Sequence, residues 1–196
     1  MSNKLFDDSL SIPSASAIEL ANVCGSFKPN LKILNMNYHI DIQHASEDTI
    51  PISDEVLINW AILTLKPLKD SAELTLRFVD SEEITYLNHM YRKINKATNV
   101  LAFPASYPDD IALDFPLLGD VIICPKILLE ESHALNKPLS AHWAHIVIHG
   151  VLHLLGYDHI KDDEATIMQT METQLLLNLG FDDPYESIEK EANQIE

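Results

Sequence analysis

One stretch constrains the chain more than any other: His149-Gly150-Val151-Leu152-His153-Leu154-Leu155-Gly156-Tyr157-Asp158-His159, with three histidines at the spacing H-x3-H-x5-H. Residues four apart on a helix leave the same face, so His149 and His153 are neighbours on one stripe. Gly156 falls where a helix would stop, because glycine takes the left-handed conformation without a Cβ penalty. A turn there swings His159 back towards the first two. Three imidazoles meeting at one point form a metal site with an open fourth position. The plainer alternative is a buried helix whose histidines bond to backbone or water.

The same spacing occurs in the metzincin proteases, H-E-x-x-H-x-x-G-x-x-H. Here Gly150 stands where that motif has its glutamate base. A glycine moves no proton, so metal geometry is shared while peptide hydrolysis is disfavoured. From Ser140 to Leu155 the helix carries no formal charge besides what histidine supplies. Apolar residues lie all round it (Trp143, Ile146, Val147, Ile148, Val151, Leu152, Leu154), which marks a central buried helix. His142 and His145 share the histidine stripe and are read as polar neighbours of the metal site.

Elsewhere the apolar periods change. Tyr38, Ile40 and Ile42 alternate with polar residues and predict a first strand; Glu73–Val79 predicts a second, Val100–Phe103 a third and Gly119–Ile123 a fourth, its apolar run suiting a buried position. Ser53 opens a helix reaching about Lys66. Asp80 and Glu83 fit a capping box for a short helix with Ile84, Leu87 and Tyr91 inward. Pro125 opens a helix ending near Asn136. Asp162 or Asp163 caps the last helix, in which Met168, Met171, Leu175 and Leu179 face the core and which Gly180 ends. Residues 105–118 read as a loop with a turn at Tyr107–Asp110.

The 196 residues suffice for one domain. Residues 1–35 lack a sustained period and read as a flexible extension; a domain spans 36–185, and an acidic tail spans 186–196. No internal repeat and no Gly-rich phosphate loop occur, so no nucleotide cofactor is expected. Cys24 and Cys124 stand apart in sequence, with no cysteine-based zinc pattern. The N-terminal stretch carries Asp7 and Asp8 without an apolar signal region, and Leu139–Tyr157 is too rich in histidine for a membrane span. A cytoplasmic protein with no membrane partner is expected.

With 30 acids against 13 bases, the net charge is −17. That opposes non-specific nucleic-acid binding by the whole surface and confines any such site to a local patch. One exists: Arg92, Lys93 and Lys96 fall within five positions. Arg92 is one of two arginines, and its guanidinium suits a phosphate. A solvated basic turn is the alternative.

Taken together, the His149–His159 motif, Asn88, Tyr91-Arg92, Thr98-Asn99-Val100-Leu101 and Gly119-Asp120-Val121-Ile122 resemble the YbeY family of bacterial rRNA maturation endoribonucleases, over about Tyr38 to Tyr185. The resemblance implies a single α+β domain: a small mixed four-stranded sheet packed by helices, with a zincin-like central helix. It implies one zinc per chain held by His149, His153 and His159, with Arg92 and His149 catalytic; by position alone, Asp158 beside the third histidine and His145 on the same stripe are candidate supporting residues. It implies RNA as substrate, single-strand-specific cleavage in 16S rRNA 3′-end maturation and ribosome quality control, and the small subunit or its assembly factors as partners. The chain departs from the family pattern at Asn99, where an aspartate is usual, and in the leader before Met36. A non-catalytic zinc-containing assembly factor and another metallohydrolase remain the alternatives.

Overall fold

The computed structural model describes residues 37–107 and 115–186. The expected extension, the Tyr107–Asp110 turn beyond its first residue, and the acidic tail beyond Glu186 lie outside them. Nine elements follow in order: β1 (Tyr38–His44), α1 (Asp54–Leu65), β2 (Ala72–Phe78), α2 (Ser81–Arg92), β3 (Val100–Pro104), β4 (Leu117–Ile123), α3 (Pro125–Ala134), α4 (Leu139–Leu154) and α5 (Asp162–Asn178). The fold is α+β, with one mixed sheet of order β1-β2-β4-β3. β1, β2 and β4 are parallel, and β3 closes one edge antiparallel to β4.

Side chains of a strand alternate between faces, and the two faces have different partners here. Leu74, Leu76, Phe78, Val100, Val121 and Ile123 point into the main core, which α1, α4 and α5 cover. Leu101, Ile122 and Phe103 point the other way, onto Ile84 and Leu87 of α2 and Ile127 of α3. The continuous apolar run of β4 reflects this: it is an inner strand with both faces covered. Trp143 anchors α4 to the sheet, its ring centroid 5.7 Å from that of Phe78.

Three local expectations need correction. Asp80 accepts from the backbone N–H groups of Glu82 and Glu83, but the reciprocal half of the box is missing, because Glu83 is drawn away to Arg77 at 3.1 Å. Tyr91 is 67% exposed rather than inward: the strand its ring meets, edge-on to Phe103 at 4.9 Å, is the edge of the sheet. Lys161, not an aspartate, occupies the N-cap of α5; Asp162 and Asp163 sit in its first turn, where their charge favours the helix dipole instead.

Candidate metal centre

α4 ends as its sequence dictates. Gly156 adopts φ +90°, the N–H of Tyr157 reaches back to the carbonyl of Leu152 at 3.1 Å, and Gly156 N–H to that of His153 at 3.0 Å. This pair of bonds is a Schellman cap. Tyr157 is buried and pins the reversed chain, and the Asp158 carboxylate accepts from the backbone N–H of His159 at 2.7 Å. Asp158 therefore shapes the turn; its hydrogen bond is to backbone, not to an imidazole.

The turn brings the three rings together. Ring centroids lie 4.5 Å apart for His149 and His153, 5.4 Å for His149 and His159, and 5.1 Å for His153 and His159. One ligating nitrogen from each falls within 4.8 Å of the others. The Nε2 atoms of His149 and His153 are 3.1 Å apart. Two nitrogens sharing a tetrahedral zinc at ~2.05 Å would lie about 3.3 Å apart, so the pair is already near ligand spacing. The donor set fits a zinc-type cation. Burial, and then the neighbouring His149 and His159, push His153 down to about 4. Its ring is consequently neutral at neutral pH, the form a cation requires.

A residue not singled out from sequence stands behind this group. Glu172 of α5 is 1% exposed, and its Oε1 accepts from His149 Nδ1 at 2.7 Å. Its Oε2 takes a short hydrogen bond from the Tyr185 hydroxyl and lies 3.5 Å from His145 Nε2. Burial alone would raise this carboxyl, but hydrogen bonds and charge from His145 and His149 outweigh it and hold the group at about 2. Tyr185 is raised, by burial first and then by the Glu172 charge. His145 thus touches Glu172 rather than joining the three histidines. A signal was present: Glu172 follows Met168 by four positions and precedes Leu175 by three, an acid on an apolar stripe.

Gly150 explains the missing glutamate. A Cβ there would lie 2.4 Å from Val121 Cγ1. α4 rests directly on β4 at this point, so the position faces the sheet. Gly150→Ala should destabilise the protein by about 1–2 kcal/mol: overpacking against a stiff buried valine costs ~1–3, and alanine's better helix propensity returns up to ~1. Chemical denaturation of the two proteins checks this.

Arg92 is the last residue of α2, which Lys93 terminates at φ 62°. It is exposed, and among the described residues its guanidinium has no hydrogen-bond or ion-pair partner. Arg77, by contrast, is tied to Glu83 and Gln43. α2 packs on the sheet face opposite α4, and its last turn meets β3 through the Tyr91–Phe103 ring contact.

The family model for endoribonuclease YbeY matches residues 39–180. The chain belongs to the YbeY family. An endoribonuclease YbeY of Legionella pneumophila is 60% identical over 156 residues, 80% of this chain and 99% of that protein. One from Pseudomonas putida is 51% identical over 146 residues, 74% of this chain and 92% of that protein. A solution structure of TM1509 from Thermotoga maritima aligns with 24% identity and a TM-score of 0.48, covering 70% of this chain and 91% of that one.

The departure from the YbeY pattern at Asn99 has a local counterpart. Asn99 Nδ2 donates to Glu131 Oε2 at 3.0 Å, and His142 Nε2 lies 2.8 Å from the same oxygen. An ionised aspartate at 99 would set two carboxylates against each other; the amide supplies a donor instead. Burial raises the Glu131 carboxyl, but these bonds from His142 and Asn99 bring it below its usual range.

Proposed function

We propose that this member of the YbeY family is a zinc-dependent, single-strand-specific endoribonuclease of the cytoplasm. Its task would be 16S rRNA 3′-end maturation and ribosome quality control, with the small subunit or its assembly factors as partners. The observation that carries the reading is the convergence of His149, His153 and His159 with near-ligand nitrogen spacing. Among the described residues no fourth histidine, cysteine or carboxylate joins that group. A structural zinc normally takes four protein ligands, so three favour an open, reactive position.

When bound, a zinc-type cation supplies Lewis acidity that activates water near neutral pH and offsets charge building on phosphate oxygens. The chain does the rest. The three imidazoles would hold the cation, and the unpaired Arg92 fork is available for a non-bridging phosphate oxygen. Lys93, the next residue, adds positive charge, while Lys96 lies close enough to Glu131 to help lower its carboxyl. Tyr86 and Tyr91, 62% and 67% exposed, offer faces on which unpaired bases stack. The position of Gly150 leaves no carboxylate there to act as a protease base. No helix among the described residues is long and apolar enough to cross a membrane.

A net charge of −17 limits affinity for naked RNA, which is why a ribosomal partner belongs to the proposal. The test is elemental analysis of the purified protein beside digestion of single-stranded RNA and of casein, each with a chelator control. One zinc per chain, chelator-sensitive RNA cleavage and intact casein are expected; metal-free protein cutting RNA at full rate would refute it. Fragment ends then separate water attack from 2′-hydroxyl attack, since only the latter leaves a 2′,3′-cyclic phosphate.

A further inference from the structure

We propose that Glu172, braced by Tyr185, is the positioning residue of the metal centre: it holds His149 in the tautomer and orientation that turn Nε2 towards His153 and His159. An ionised carboxylate only accepts hydrogen bonds, so the His149 nitrogen 2.7 Å from Oε1 carries the proton. That nitrogen is Nδ1. In a neutral imidazole the lone pair then sits on Nε2, the atom 3.1 Å from His153 Nε2. Without Glu172 both tautomers are open to His149, and one of them aims a proton at the cation.

The brace is built from the far end of the described chain. Tyr185 reaches Glu172 Oε2 with its hydroxyl, and its own backbone N–H is held by Asp183 Oδ1 at 2.9 Å. Thr173, next to Glu172, donates to the same Asp183 oxygen at 3.2 Å. Lys137 Nζ bonds the Pro184 carbonyl at 2.8 Å. The turn that carries Tyr185 is therefore fastened to the residue beside the carboxylate and to the segment before α4. A solitary buried carboxylate is costly, and a simple core role would be met by an apolar residue. Here each oxygen has a donor, and one of the donors is a candidate ligand.

The inference rests on reading His149 as a ligand, and its test separates the two. Wild type, Glu172→Gln and Tyr185→Phe are loaded with Co(II), and affinity is measured by chelator competition together with the visible d–d spectrum. Glu172→Gln should bind ~10–100-fold more weakly with an altered band, the range for losing such a partner. Tyr185→Phe should change both readouts in the same direction by less. Wild type that takes up no Co(II) refutes the metal reading itself. Wild type that binds while a folded Glu172→Gln keeps the same affinity and band refutes the positioning role. If circular dichroism shows Glu172→Gln unfolded, Tyr185→Phe decides: unchanged affinity and spectrum in that folded variant overturn the inference.

Discussion

His153→Ala loses the metal and RNA cleavage together. The ring sits between the other two: its Nε2 is 3.1 Å from that of His149, and its centroid is 5.1 Å from that of His159. Because its proton affinity is already held at about 4, the ring needs no deprotonation to accept a cation at neutral pH. Truncation leaves two imidazoles, one on a helix and one on an exposed turn. The affinity loss should exceed the ~100-fold ceiling for loss of a supporting partner, and activity should fall with occupancy. Metal per chain after gel filtration, measured beside cleavage rate, checks both. Stoichiometric metal in the variant would remove His153 from the ligand set.

Arg92→Ala gives the opposite signature: full metal content, near-normal stability and little cleavage. The side chain is exposed and unpaired among the described residues, so its removal should alter stability by no more than ~0.5 kcal/mol. Losing a preorganised charge from a phosphoryl transition state typically lowers the rate ~10²–10³-fold. Arg92→Lys should fall between, since an ammonium keeps the charge but not the two-pronged geometry. Single-turnover cleavage and thermal unfolding of both variants decide the matter. Unchanged cleavage in Arg92→Ala would return this residue to a solvated basic turn. Arg77 offers no substitute: Glu83 and Gln43 already hold it.

What was legible in the sequence was local or periodic. Alternation at Tyr38–Gln43 and Glu73–Val79 located strands, because one face of each meets the core. Gly156 announced the end of α4, because few other residues tolerate that backbone conformation. The histidine spacing pointed to the three-ring cluster, all three lying within one helix and the turn after it. What stayed hidden depends on distant packing. Glu172 meets His149 across 23 positions, through a helix pairing that no window of sequence contains. Arg77, arriving from β2, took Glu83 out of the capping box. Tyr91 looked inward by its helical period, yet the sheet beneath it ends at β3. Gly150 was readable as a lost base; that it lets α4 lie against Val121 needed the third dimension.

The placement of α2 and α4 on opposite faces of the sheet bears on which nucleic acids the enzyme accepts. A polymer that engages both Arg92, at the end of a helix on one face of the sheet, and the histidines, on the helix covering the other, would have to pass from one face to the other. A double helix is a stiff rod; for duplex DNA bending persists over about 150 base pairs, and a rod does not turn sharply within a few nucleotides. An unpaired strand can. Substrate choice would then be mechanical, set by how sharply the ribose-phosphate thread bends before any base is read.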